Sequence, residues 1–127
     1  MGACYSVTFK LNVKDEKEIV RALNEKIKND EENGRAVYGI EKYGNKTDTL
    51  DGLMGVILAE HQGGVGIKKG RKYVYYSNSF DASYGWESLI YEWFEEMVPF
   101  LEDGSVVNVY PDEGHWKCTV KGGKMIE

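Results

Sequence analysis

The chain has 127 residues, a length that suits one domain, and its 42% hydrophobic and 13% aromatic content excludes a disordered tail. Its net charge of −5 argues against nucleic acid or an anionic membrane as the main partner. With two cysteines, no secretion-type apolar region and no run long enough to span a bilayer, we expect a cytoplasmic protein with free thiols.

The first predicted element is a β-strand with one buried face. Polar and apolar side chains alternate over residues 5–13, and the apolar set is Tyr5, Val7, Phe9, Leu11 and Val13. This period of two is typical of a strand. The opening letters MGACYS also fit a pattern for acylation at Gly2. Because the second signal that a stable lipid anchor needs is missing, we expect the strand and not the anchor.

The segment DEKEIVRALNEKIKND predicts the first helix. Asp15 can cap it, with Glu18 three residues later as in a capping box, and apolar residues recur at every fourth position along one stripe. The helix is expected to end near Asn33 and Gly34. The next letters, RAVYGIEKY at residues 35–43, predict a second strand.

A second helix is predicted in TDTLDGLMGVILAEHQGG, whose apolar side chains follow helical spacing at Leu50, Leu53, Met54, Ile57 and Leu58. Its opposite side carries small residues instead of charges: Gly52, Gly55 and Ala59. Glycine inside a helix costs about 1 kcal/mol, so its use there indicates close approach by another element. That element is either another part of the same chain or a second copy in a homo-oligomer.

The third predicted helix, over residues 83–98, is the centre of the expected core. Apolar side chains fill one face of it: Trp86, Leu89, Ile90, Trp93, Phe94, Met97, Val98 and Leu101. A strand, RKYVYYS, is predicted before this helix, and Pro99 is expected to end the helix. The last part of the chain is predicted to form a meander of strands from the segments GSVVNVYP, HWKCTV and KMIE. We therefore predict one α+β domain over residues 1–127, with a largely antiparallel sheet of five to six strands and three helices packed on one face.

Neither nucleotide nor metal chemistry is indicated. The loop GGVGIKKG lacks the Lys-Ser/Thr ending of a phosphate-binding loop and leads from a helix into a strand, the reverse of such loops. His61, His115 and the two cysteines lack the spacing of metal ligands. We therefore predict no cofactor, no metal ion and no catalytic residue.

The run KKGRKYVYYS interleaves four basic side chains with three tyrosines. Such mixing can bind single-stranded nucleic acid through stacking and charge. In a chain of net charge −5, a hairpin loop followed by a tyrosine-rich strand is the preferred interpretation.

The most informative feature is a block of acidic residues. Residues 81–103 contain seven acidic side chains and no lysine or arginine: Asp81, Glu87, Glu92, Glu95, Glu96, Glu102 and Asp103. One interpretation is a solvated face, or acids neutralised by lysines from elsewhere in the fold. The other is a surface that docks onto a basic protein, as inhibitors that mimic nucleic acid do. In that case the glutamates of the third helix must point into solvent.

A second candidate site lies between Ser77 and Gly85. Asp81, Tyr84 and Trp86 would converge there on a pocket for a small ligand, or on a minor active site. This is the alternative to protein docking. A homo-oligomeric module that uses the small-residue face of the second helix is a further alternative.

The chain resembles a family of short acidic bacterial proteins associated with prophages and integrative mobile elements. The resemblance covers the MGACYS start, Thr47 to Leu50, and the segments SFDASYGWES and PFLEDGS. None of these is a catalytic signature, so the resemblance implies a bacterial cytoplasm and mobile DNA as context. Small acidic proteins of such elements include inhibitors of host defence, some anti-CRISPR proteins among them, which makes that role an analogy for this chain.

The sequence therefore predicts a non-enzymatic protein that binds a protein partner, in its most specific form an anti-defence inhibitor. The predicted contact residues are acidic ones on and after the third helix: Glu87, Glu92, Glu95, Glu96, Glu102 and Asp103.

Overall fold

The computed structural model describes residues 2–35 and 38–127. Over these residues the chain forms one antiparallel sheet of six strands, in the order β2-β3-β1-β4-β5-β6. The strands are β1 (Gly2–Leu11), β2 (Gly66–Lys69), β3 (Val74–Ser83), β4 (Val106–Tyr110), β5 (Trp116–Lys121) and β6 (Lys124–Ile126). The α-helices are α1 (Glu16–Glu32), α2 (Ile40–Tyr43), α3 (Leu50–Ile57) and α4 (Trp86–Met97). The predicted α+β class is confirmed.

The central strand β1 follows the predicted alternation. Its inward side chains from Ala3 to Leu11 are at most 5% exposed, whereas Cys4, Ser6 and Thr8 on the other face are exposed. It pairs along its length with β3 and over its second half with β4. The helices cover the face that carries the apolar side chains, and the other face of the sheet is open.

Helix α1 begins and ends where its capping residues predict. The Asp15 carboxylate accepts a hydrogen bond from the Glu18 backbone N–H at 3.2 Å. Asn33 closes the helix, and Gly34 follows with φ of +64°, the left-handed conformation that glycine adopts without strain. Its apolar stripe contributes Ile19, Leu23 and Ile27 to the core.

Helix α4 contributes four side chains to the core, two of them large aromatic ones. Ile90, Trp93, Phe94 and Met97 are fully buried, and the Phe94 ring centroid lies 6.4 Å from that of Phe9 in β1. A 3₁₀ turn over Val98–Phe100, with Pro99 at its start, ends the helix.

The strand predicted over residues 35–43 is wrong in its described part; Ala36 and Val37 lie outside the described residues. Ile40–Tyr43 forms a single helical turn, closed by the Gly44 N–H donating to the Ile40 carbonyl at 2.9 Å. Tyr38 is 5% exposed and donates to the Asp30 carboxylate, which holds the segment against α1 instead of in the sheet. A strand missing from the prediction, β2, lies instead in the glycine-rich loop, and β3 runs on to Ser83.

The small-residue side of α3 is covered by the chain itself. A Cβ on Gly52 would collide with the Lys46 carbonyl oxygen, and one on Gly55 would lie 2.7 Å from Asn45 Oδ1. Ala59 lies beyond the helix, with φ of +54°. The intrachain interpretation of this face is correct, and the predicted homo-oligomer contact through Gly52, Gly55 and Ala59 is wrong because both glycines are already buried.

Within residues 2–35 and 38–127, no helix is long and apolar enough to cross a membrane.

Candidate functional site

The candidate site is the outer surface of α4, positioned by the turn that joins this helix to β3. Gly85 precedes the helix with φ of +91°, which glycine tolerates, and the chain reverses there over Tyr84 and Gly85. Tyr84 is left 68% exposed. We call the outward residues the α4 surface: Tyr84, Glu87, Ser88, Tyr91, Glu92, Glu95 and Glu96, with Trp116 of β5 beside them.

The first turn of α4 is fixed by two hydrogen bonds to the core. The Trp86 indole Nε1–H donates to the Ile57 carbonyl at 2.9 Å, and the Tyr5 hydroxyl donates to Glu87 Oε2 at 2.7 Å. Burial and, secondly, the bond to Glu87 raise the pKa of Tyr5 to about 12. Glu87 is therefore a half-buried acceptor that holds the helix to β1, as well as an acidic residue at the surface.

Of the shallow grooves along α4, two share Ser88 and Glu92 as the ridge between them. The groove of about 440 Å³ is mainly apolar and is lined by Glu87, Tyr91 and Trp116 besides the ridge. The Tyr91 and Trp116 ring centroids lie 5.5 Å apart. The second groove, of about 460 Å³, has Arg35, Ser83, Tyr84 and Trp86 on its far side. Aromatic side chains therefore stand on both sides of an acidic ridge.

Glu92 is held by two intramolecular cations. Lys26 Nζ lies 2.7 Å from Glu92 Oε1, and Arg35 Nη2 lies 2.8 Å from Oε2. The hydrogen bond from Arg35, followed by that from Lys26, lowers the pKa of Glu92 against the opposing effect of its burial. The expectation that Glu92 presents a free charge to solvent is wrong, because its charge is matched within the fold.

A buried polar network lies behind Glu92. Lys26 is 7% exposed and also contacts the Asp30 carboxylate at 3.1 Å. The Tyr38 hydroxyl donates to Asp30 Oδ2 at 2.5 Å and accepts from Trp93 Nε1–H at 3.3 Å. Burial, followed by the bond to Asp30, raises the pKa of Tyr38. The network ties α1, α4 and the segment around Tyr38 together.

The other predicted contact residues divide into two groups. Glu95 and Glu96 are exposed, and within the described part of the chain neither forms an ion pair. Glu95 and Glu96 line neither of these two grooves but a third one, beside Arg35, whereas Glu102 and Asp103 are exposed and lie beyond the 3₁₀ turn. Asp103 Oδ1 accepts the Gly122 N–H at 2.9 Å, so it shapes a turn. The fold does not gather all six acids into one patch.

The alternative pocket does not form as predicted, because Asp81 lies on the opposite face of the sheet. Asp81 is in β3 across from Cys4, and the Cys4 thiol donates to its carboxylate at 2.7 Å. This bond and the charge of Asp81 raise the pKa of Cys4. Tyr84 and Trp86 do line one groove, in which the charged groups are Arg35 and Glu92 and not Asp81. Because β3 continues to Ser83, Asp81 is part of the strand, and the strand's alternation places its side chain on the same face as Cys4.

Four residues of the site were absent from the predicted set: Arg35, Ser88, Tyr91 and Trp116. Tyr91 falls just outside the apolar face of α4, and Arg35 belonged to the wrongly predicted strand. Trp116 lies on the inward face of β5 but is only half-buried, at the edge of the core. Only Tyr91 carried a usable signal, since it is an aromatic residue on the polar side of an amphipathic helix.

In the described residues, no three His, Cys, Asp or Glu side chains cluster as metal ligands would. Comparison of the chain with protein-family models, curated proteins and solved structures finds no match.

The variant Glu92→Gln is expected to be less stable than the wild type at neutral pH, by a margin that shrinks in acid. The pKa of Glu92 is lowered from its usual 4.5, so its contribution is present above that value and is lost as the pH falls through the folded-state pKa. Urea unfolding at neutral pH and at steps below pH 4.5 measures the margin. Glu95→Gln is the exposed control, expected within about 0.5 kcal/mol of wild type. A margin that stays constant with pH would contradict the ion-pair role of Glu92.

Proposed function

We propose that this protein is a non-enzymatic binding protein, active in a bacterial cytoplasm, that docks onto a basic protein partner through the α4 surface. The observation that carries the proposal is that the α4 surface combines one exposed and two half-buried aromatic rings with carboxylates that form no ion pair within the described residues. Tyr84 is 68% exposed in one groove, and Tyr91 and Trp116 line the apolar groove on the other side of the Ser88–Glu92 ridge. Tyrosine and tryptophan are the residue types that most often dominate protein interfaces.

The charge on the α4 surface supports a basic partner. Helix α4 carries four glutamates and no lysine or arginine. Glu92 is paired with Lys26 and Arg35, whereas Glu95 and Glu96 form no ion pair in the described fold. Complementary charge around an aromatic centre speeds association and rejects acidic competitors. Lysine or arginine side chains of a partner could in addition stack on the exposed Tyr84 ring.

The biological setting is proposed from the resemblance to proteins of prophages and integrative elements. An acidic protein from such an element that covers a basic groove would block access of nucleic acid to that groove. We therefore propose a nucleic-acid-handling defence protein of the host as the class of partner, with inhibition by occupation as the mechanism.

The docking proposal is tested by capture from a bacterial lysate at low and high salt, with matched charge-reversal variants. The double variant E95K/E96K is expected to weaken partner binding by at least about tenfold. The control E31K/E32K reverses two adjacent, exposed glutamates on α1 and makes the same change in net charge. It is expected to bind like the wild type, apart from a small long-range effect that salt removes.

An aromatic variant separates docking from general electrostatics. Tyr84→Ala leaves the charge unchanged and is expected to lower affinity at high salt as well as at low salt. A photo-crosslinker at Ser88 would then join the partner to the α4 surface. Equal capture by wild type and E95K/E96K, or a crosslinked partner that is acidic at the contact, would contradict the proposal.

A small-ligand function is the second candidate, favoured by the groove that Arg35 and Glu92 share with Tyr84 and Trp86. Its volume of about 460 Å³ is within the ordinary range of ligand sites, and it combines an aromatic wall with a fixed ion pair. Nuclear magnetic resonance shifts confined to these four residues on addition of a small molecule would favour it. Shifts spread over both grooves with a protein added would favour docking.

A further inference from the structure

The face of the sheet that the helices leave open has its own chemical character. Cross-strand register places Ser77, Thr8, Asn108 and Lys117 in one row across β3, β1, β4 and β5. Neighbouring strands are about 4.8 Å apart, so this row extends over about 14 Å. Its hydroxyl, amide and ammonium groups offer hydrogen bonds and almost no apolar area. We call this surface the open sheet face.

The open sheet face is positively charged although the chain as a whole has a net charge of −5. Lysines occupy its outward positions on several strands, at Lys10, Lys68, Lys117, Lys121 and Lys124. None of them makes an ion pair within the described part of the chain. Two acidic side chains, Asp81 and Asp112, lie at the end of the face near Cys4, and Asp103 lies against the turn between β5 and β6.

Aromatic rings stand at two points on the same face. Tyr75 lies between Lys68 and Lys10 in the register of β2, β3 and β1. Tyr110 is 49% exposed and stacks on His115 with ring centroids 4.2 Å apart and planes within 6°. With strands about 4.8 Å apart and residues about 3.3 Å apart along them, the two tyrosines are about 16 Å from each other.

We propose that the open sheet face binds single-stranded nucleic acid, a function beyond protein docking by the α4 surface. The lysines would contact phosphates, Tyr75 and Tyr110 would stack on bases, and Thr8, Ser77 and Asn108 would hydrogen-bond to base edges. An extended strand of a few nucleotides spans the two tyrosines. Uncovered antiparallel sheets with aromatic side chains are a common platform for this kind of recognition.

The chemistry of the face distinguishes this ligand from the other macromolecules. A protein interface has an apolar centre depleted in lysine, whereas lysines are spread over this face and its exposed aliphatic side chain, Ile126, lies on the edge strand β6. The face is formed by paired strands of one sheet, which is unlike the single helix or two-stranded ribbon that enters a duplex groove. The acidic residues of the helices lie on the far side of the sheet, and at about 0.1 M salt charges more than about 10 Å apart are largely screened.

The proposal is tested by fluorescence anisotropy with labelled oligouridylate and oligothymidylate of about a dozen nucleotides. The full chain is expected to bind both, more weakly as salt rises. Log affinity falls as log salt concentration rises, and K68Q/K117Q is expected to make this slope less steep by about 1.4. Each of the two lost phosphate contacts contributes about 0.7 to the magnitude of the slope. Tyr110→Ala is expected to weaken binding at least about fivefold.

Two control variants decide the outcome. K17Q/K28Q removes the same charge from exposed positions of α1, and Tyr84→Ala removes an exposed tyrosine on the helical side; both are expected to bind like the wild type. The proposal is overturned if no oligonucleotide binds at about 0.05 M salt, where such contacts are strong. It is also overturned if K17Q/K28Q weakens binding as much as K68Q/K117Q does, or if a duplex binds as tightly as the single strand.

Discussion

Replacement of Trp93 by alanine is expected to lower the free energy of unfolding by about 3–5 kcal/mol. Trp93 is fully buried in α4 and is among the largest fully buried side chains of the described chain. Its removal leaves a cavity and also takes away the indole N–H that donates to the Tyr38 hydroxyl at 3.3 Å. Since domains of this size are stable by about 5–15 kcal/mol, a large part of the total would be lost.

The measurement is urea unfolding followed by far-ultraviolet circular dichroism, because tryptophan fluorescence would change with the substitution itself. Trp93→Phe keeps most of the apolar volume but not the N–H, so it is expected to fall between wild type and Trp93→Ala and to stay folded. Glu96→Ala, an exposed change on the same helix, is expected to remain within about 0.5 kcal/mol of wild type. A loss below about 1 kcal/mol for Trp93→Ala would contradict the central place of α4 in the core.

The elements with long periodic patterns could be predicted from the sequence. β1 alternates over its whole length, α1 has a capping aspartate with a closing glycine, and α4 has an uninterrupted apolar face ended by Pro99. In each of these the local pattern and the tertiary environment favour the same structure. The start of α1 followed from its side-chain cap, which acts over three residues and so can be recognised locally, whereas α4 has no such cap and begins at Trp86, not at residue 83.

The segment around Tyr38 could not be predicted in this way. Its aromatic and branched residues have strand propensity, which is a weak preference that tertiary contacts override. The deciding contact is the hydrogen bond from Tyr38 to Asp30, which belongs to the preceding helix. Gly39 and Gly44 then bracket a single helical turn, and the first is kept small because a Cβ there would lie 2.8 Å from the Tyr43 ring.

The candidate site was predictable in position but not in electrostatics. The acidic block correctly located α4 as a charged surface, whereas the partners of Glu92 lie 66 and 57 residues away in sequence. A charge count along a chain cannot show which carboxylates are matched across the fold. The same limitation applied to the open sheet face, whose lysines come from four strands that the sequence separates.

Removal of the Asp30 carboxylate, in Asp30→Ala, is expected to lower the free energy of unfolding by about 3 kcal/mol. Asp30 is 4% exposed, and its carboxylate accepts hydrogen bonds from both the Lys26 ammonium and the Tyr38 hydroxyl. Without the Asp30 carboxylate, the Tyr38 hydroxyl loses its hydrogen-bond acceptor, and the buried Lys26 ammonium retains only its ion pair with Glu92. The value lies at the lower end of the range for broken buried pairs because that second carboxylate remains.

The design of the variants separates charge from hydrogen bonding in this network. Asp30→Asn keeps an acceptor for Tyr38 but removes the charge, so it is expected to cost less than Asp30→Ala. Since removing both members of a buried pair leaves no uncompensated charge, K26M/D30A is expected to lose less stability than the sum of its two single variants. Glu31→Ala, exposed and adjacent on α1, is the matched control. Strictly additive losses in the cycle would mean that Lys26 and Asp30 do not interact, and Glu92 alone would then hold the lysine.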